Sequence, residues 1–224
     1  MSNESQDTRD LPRPPTSAVR KLSRGAGRPA STDPKGDDLR ELILAAASQD
    51  YADNGYHGSS VAHILAISGV SRPTFYRYFK NRREALDIII GRANDMLGEC
   101  VARNIAGMDD LERVVDAAVD AYFEWAGLCG PLVGPIYQEI GDAASPAHEH
   151  RSRIVAELAD LFEATLTSLG LPPQDPLLYE ALLHVVEQVG HAAFWPEIKS
   201  PAEIGKRRQI ISRILIASLA PSKD

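Results

Sequence analysis

The stretch Ile64-Leu65-Ala66-Ile67-Ser68-Gly69-Val70-Ser71-Arg72-Pro73-Thr74-Phe75-Tyr76-Arg77-Tyr78-Phe79 decides the fold. Val61, Ile64 and Leu65 stand at helical spacing and predict a short helix from about Ser60 to Ser68. Gly69 breaks it, since glycine enters the left-handed region without steric cost. Ser71 then offers a side-chain oxygen to the free N–H groups of a second helix, and Pro73 falls in that helix's first turn, where a missing N–H costs little. Val70, Phe75 and Phe79 share one side of this second helix and are expected in the core. Arg72, Pro73, Thr74, Tyr76, Arg77 and Tyr78 are left on the other side. Helix, glycine bend and capped short helix make a helix-turn-helix.

Working outward, Leu39, Leu42, Ile43, Ala46, Ala47 and Tyr51 predict an amphipathic helix that starts near Asp37 and ends at Asn54-Gly55. On the other side, Asn81-Arg82-Arg83-Glu84 reads as a cap with a carboxylate at the third helical position. A fourth helix should run from there past Cys100, with Gly91 and Gly98 as weak points. Further helices follow, separated by Pro and Gly. One carries Leu111 to Ala126, a short one lies around 135–140, one opens at Ser145-Pro146, one at Asp175-Pro176, and the last at the capping box Ser200-Pro201-Ala202-Glu203. No stretch alternates as a strand would, and no repeat is present. The expected class is all-α, with a three-helix head at 37–83 and a larger helical body at 84–224. Residues 1–36 are rich in Pro, Ser, Gly, Asp and Arg and are expected to be a disordered arm. Its acid-free middle, Arg20 to Arg28, either solvates the tail or lies along DNA.

The chain has 224 residues and a net charge of −7, an unpromising total for a partner of nucleic acid. The charge is unevenly placed. Residues 1–95 hold 14 Lys and Arg against 12 Asp and Glu, whereas residues 96–224 hold 10 against 19. Within 71–83 there are five cations (Arg72, Arg77, Lys80, Arg82 and Arg83) and no acid. Local rather than total charge decides what a surface attracts. With no apolar run near the ~20 residues of a membrane helix, a soluble, cytoplasmic protein is expected. Cys100 and Cys129 lack metal-ligand spacing and are expected as buried, reduced thiols.

The outer face of the second helix suits duplex DNA. An arginine can donate two bonds to guanine, worth roughly 1–3 kcal/mol of discrimination. Tyr and Thr hydroxyls fit phosphate, and Pro73 can touch a thymine methyl. A face that was merely basic and solvated would not need Tyr76 and Tyr78 among its arginines. No nucleophile–base pair, phosphate-cradling glycine loop or metal-ligand spacing is present, so neither an enzyme, a cofactor nor a metal is expected.

Gly55-Tyr56, Ser59-Ser60-Val61, Ile64, Gly69-Val70-Ser71, Pro73-Thr74-Phe75-Tyr76, Phe79 and Lys80-Asn81-Arg82 resemble, in order and spacing, the N-terminal signature of the TetR family of transcriptional regulators. The resemblance covers about residues 38–90. It implies a DNA-binding helix-turn-helix head and a helical ligand-binding and dimerising body. Carried over by position, it makes Ser60, Ser71, Arg72, Pro73, Thr74, Tyr76, Arg77, Tyr78, Lys80 and Arg82 the DNA-contacting set, with Arg82 where the family usually has a phosphate-binding lysine. Leu65 departs from the pattern, which usually has a small residue there, and Arg83 stands where an acid is frequent.

Beyond residue 100 the likeness is one of length and helix layout. It implies a homodimer through the last two helices, about 175–194 and 201–219, a double-stranded operator, and a small-molecule effector that releases a repressor. The apolar face Leu178, Leu182, Val185 and Val189 fits either that dimer interface or an internal core. For the effector, Tyr122, Trp125, Tyr137, Phe162 and Phe194 are candidate walls, unless they are plain core, and His184 and Glu187 are candidate anchors. His184, Glu187 and His191 share a helix face but lack a second cluster to complete a metal site.

Overall fold

The computed structural model describes residues 34–194 and 200–220, with side chains from 36 to 193 and from 200 to 220. The expected arm lies outside these residues apart from its last three, which open the first helix. That helix therefore begins earlier than Asp37, at Pro34, whose fixed φ suits a first turn.

The order is α1 (Pro34–Gly58), α2 (Val61–Ser68), α3 (Arg72–Tyr78), α4 (Arg82–Ile105), α5 (Leu111–Cys129), a 3₁₀ turn (Gly130–Leu132), α6 (Val133–Glu139), α7 (Pro146–Ser168), α8 (Pro176–His191), a 3₁₀ turn (Ala192–Phe194) and α9 (Pro201–Leu219). There is no strand among the described residues, so the class is all-α. Polar side chains start the helices as expected. Ser60 accepts from the His63 N–H, Asn81 from Glu84 and Ser200 from Glu203. Each such cap contributes about 1 kcal/mol.

The head is α1 to α3 closed by the start of α4, around Ile43, Leu44, Tyr51, Ile64, Phe75, Phe79 and Leu86, all buried. One stripe position is misplaced by periodicity: Leu42 is 45% exposed and Leu44 fully buried. The cause is that α1 packs against α2, α4 and α6, so its buried face is wider than one stripe. Leu65, large where the family pattern is small, sits half-buried at the margin of that core. Gly55 has φ 65° and marks the kink near the end of α1.

In the body, α4 packs against both α5 and α7, and α9 packs on α5 and α8. Gly91 is a crossing point rather than a weak point, because a Cβ there would lie 3.1 Å from the His150 ring. Trp125 of α5 is buried and donates from its indole N–H to the Ala93 carbonyl of α4 at 2.6 Å. Cys100 and Cys129 are buried free thiols, and burial pushes the Cys129 thiol far up. No helix among the described residues is long and apolar enough to cross a membrane.

Candidate nucleic-acid interface and ligand cavity

The bend between α2 and α3 is built on Gly69, at φ 70°, whose N–H closes α2 on the Leu65 carbonyl at 2.9 Å. Ser71 accepts from the Thr74 N–H at 3.3 Å, and its hydroxyl lies 2.8 Å from that of Thr74. Phe75 and Phe79 anchor α3 from beneath, rings 5.7 Å apart. Opposite them, Ser71, Arg72, Pro73, Tyr76, Arg77 and Lys80 are exposed, and Thr74 and Tyr78 are half-buried. The Arg77 guanidinium donates to the Tyr78 hydroxyl at 2.8 Å and lies 4.9 Å from that ring's centroid, so its direction is set in advance. This face presents two arginines, a lysine and two phenols, a set that can reach both base edges and phosphates.

Two more of the ten expected contact residues, besides Ser71, Thr74, Arg77 and Tyr78, are engaged within the fold. The Ser60 hydroxyl caps α2. Arg82 departs further from expectation: its guanidinium donates to the Tyr56 carbonyl and lies 4.4 Å from the Tyr56 ring centroid, which bolts the start of α4 to the end of α1.

Sequence reasoning missed the polar hub beneath this interface. Asp50 is fully buried. Its carboxylate accepts from the Ser59 hydroxyl at 2.5 Å, the Ser60 N–H at 2.9 Å and the Asn54 amide at 2.8 Å, and lies 3.1 Å from His63 Nδ1. A buried carboxylate is tolerated only with such partners, and these tie the turn before α2 to α1. The signal available was the i, i+4 spacing to Asn54, which also fits a solvated pair.

A second missed feature joins head to body. One oxygen of Glu139, at the end of α6, accepts from the Tyr56 N–H at 2.5 Å, and the other accepts from the Tyr51 and Ser145 hydroxyls at 2.9 Å each. Burial first, then the Glu139 charge, pushes the Tyr51 phenol far up. Nearby, His57 Nε2 lies 2.6 Å from Asp142, whose carboxyl is held below the usual range by the Ala144 N–H and then by His57. Arg92 of α4 grips Glu41 of α1 through two bonds of 2.9 Å. Apart from Ser145, six residues from Glu139, and Ala144, two from Asp142, these partners are 51 to 88 residues apart in the chain, beyond any local spacing rule.

The candidate ligand cavity lies among α4, α5, α7, α8 and α9, with Tyr137 of α6 at its edge. Its free volume is about 70 Å³, room for several waters. Of the expected residues, Tyr122, Tyr137, Phe162 and Glu187 line it. Trp125 does not; it is spent in packing on α4. His184 does not either: its ring is exposed, with Nδ1 2.8 Å from the Glu180 carbonyl and Nε2 2.7 Å from Arg151. The Phe194 side chain lies outside the described residues. The walls that were missed are aliphatic, among them Leu97, Val101, Leu158, Leu182, Val186 and Leu215. Leu182 thus belongs to the interior rather than to an outer face. Glu187 pairs with Arg151 at 2.9 Å. Burial raises the phenols of Tyr122 and Tyr137, and the Glu187 charge raises both further. Among the described residues no three His, Cys, Asp or Glu side chains gather as metal ligands.

The profile described as "Bacterial regulatory proteins, tetR family" matches residues 43–87, which span the helix-turn-helix and the start of α4. The chain is 32% identical over 107 residues to the HTH-type transcriptional activator FasR of Mycolicibacterium smegmatis, covering 46% of this chain and 49% of FasR. It is 25% identical to the uncharacterized HTH-type transcriptional regulator YdgC of Bacillus subtilis over 85% of this chain and 97% of that one. The match to FasR thus spans about half of that relative's length. Among solved structures, a putative TetR-family transcriptional regulator from Syntrophomonas wolfei superposes with a TM-score of 0.67 at 14% identity, over 83% of this chain and 97% of the other. Residues 43–87 thus carry the N-terminal signature of the tetR family of bacterial regulatory proteins, and the order of the helices beyond them agrees with the fold of such regulators.

Proposed function

We propose that this protein is a sequence-specific DNA-binding transcriptional regulator, a repressor that a small molecule releases from a near-palindromic operator. The observation that carries the reading is the α3 face, where exposed Arg72, Tyr76 and Arg77 stand on a helix locked by Phe75, Phe79 and a glycine bend. In this reading Arg72 and Arg77 meet base edges, while Ser71, Thr74, Tyr76, Tyr78 and Lys80 hold phosphates and Pro73 packs on a base methyl. Arg82 contributes by fixing the α1 end rather than by reaching DNA.

Two copies pair through α8 and α9, so that two heads about 34 Å apart enter successive major grooves. The exposure of Leu177, at 67%, supports an outer apolar surface on α8. Helix α4 is the link: Leu86 lies in the head's core, and Leu97 and Val101, three to four turns on, line the cavity. An effector that binds better to the DNA-incompetent arrangement moves α4 and changes head spacing; one that binds both arrangements equally shifts nothing.

The test is fluorescence anisotropy on operator fragments captured from genomic DNA by the purified protein. Arg72→Ala with Arg77→Ala should abolish sequence preference, and unchanged binding would end the proposal. Tight specific binding that no small molecule alters would make it a constitutive regulator. A promoter reporter separates repression from activation, the role in FasR's name.

A further inference from the structure

The cavity is lined almost throughout by aliphatic side chains, and its polar groups are gathered unevenly. On α8, Tyr179 and Glu187 both line it, with Leu182, Leu183 and Val186 between them. Eight helical residues span about 12 Å, so the wall is long as well as apolar. At the Glu187 end the Tyr122 ring packs against Gly190, the Tyr137 ring lies 5.1 Å from that of His191, and the Glu187 charge reaches both phenols. Those phenols stay protonated at neutral pH and can donate.

We propose that this cavity takes an uncharged aliphatic amphiphile, its chain along α8 and its hydrogen-bonding head between Tyr122, Tyr137 and Glu187. The proposal rests on the effector reading above and names the chemistry of that effector. The sign of the charges sets the choice of head group. Glu187 lines the cavity, whereas its partner Arg151 does not. An anionic head would therefore meet a carboxylate first. A cationic head would compete with Arg151, which already neutralises Glu187, and would lose its water in apolar surroundings. A hydroxyl or amide donates to Glu187, accepts from a phenol and brings no charge.

Calorimetry on the full chain without DNA, using 1-decanol, decanoate and decylamine near pH 7.5, tests this directly. Decanol should bind with a Kd at least tenfold below those of both charged probes. Glu187→Gln should bring decanoate at least tenfold closer to decanol. Leu158→Trp, which fills the cavity, should remove decanol binding; if that variant fails to melt cooperatively, Val155→Phe makes the same test from a half-buried wall. A charged probe that binds as tightly as decanol, or the failure of all three to bind, overturns the proposal. Decanol that binds yet leaves operator affinity unchanged upholds the ligand class and overturns release by ligand, so the two failures are distinct.

Discussion

The head and the body solve opposite problems with similar helices. In the head, buried polar atoms meet a partner at nearly every turn: Asp50 has four, and Glu139 reaches across from α6 with three. In the body, the space between α4, α5, α7 and α8 is left unfilled and almost free of polar groups. A reading head must hold its side chains in one arrangement to distinguish bases. A cavity that accepts a guest has to leave contacts unmade, at a cost in packing. Rigidity is concentrated where DNA would be read, and incomplete packing where a ligand would enter.

This contrast can be broken from either side. The largest effect is expected for Arg72→Ala with Arg77→Ala, which should weaken operator binding by about 4 kcal/mol, roughly a thousandfold, if each makes a bidentate base contact. Both side chains are exposed, so the melting temperature should stay put. Next, Asp50→Ala strands the Ser59 hydroxyl and the Ser60 N–H in the head and should cost about 3 kcal/mol. Denaturant unfolding measures that loss, and DNA affinity should fall with it. In the body, Gly190→Ala drives a methyl into the Tyr122 ring. It should cost about 1–3 kcal/mol through overpacking. If the two regions are as different as described, this variant alters decanol binding more than operator binding in the absence of ligand.

The smallest effect concerns acid. The Asp142 carboxyl titrates lower in the folded protein than in the unfolded chain. Its contribution is therefore complete above the ordinary carboxylate pKa of about 3.9 and is lost as pH falls through the lower folded value. Asp142→Asn should flatten that part of the melting profile below pH 4 and slightly lower stability at neutral pH. An unchanged acid slope would show that the contacts of Asp142 with the Ala144 N–H and with His57 add nothing measurable to stability.

The two regions also differed in how far they could be read from the chain. The helix-turn-helix was legible because its determinants are local: Gly69, the Ser71 cap, Pro73 and the Phe75–Phe79 spacing lie within eleven residues. Most helix boundaries followed from caps for the same reason, whereas α1 runs from Pro34 to Gly58, three residues beyond the expected span at each end. The cavity was half legible. Tyr122, Tyr137, Phe162 and Glu187 stood out by chemistry, but a leucine that lines a void is indistinguishable in sequence from one that fills a core. Trp125 and His184 do not line the cavity, which could not be read in advance, because helical spacing says which residues share a face, not what that face meets. Asp50 and Glu139 went unread because most of their partners are set by tertiary packing.

The brevity of α6 has a mechanical side. Tyr137 and Glu139 are two residues apart on a helix of seven, so they project in nearly opposite directions. One lines the cavity, and the other grips the backbone of Tyr56. With no slack between them, the helix is built like a crank: a roll that made room for a guest at the phenol would drag the carboxylate away from the amide it holds.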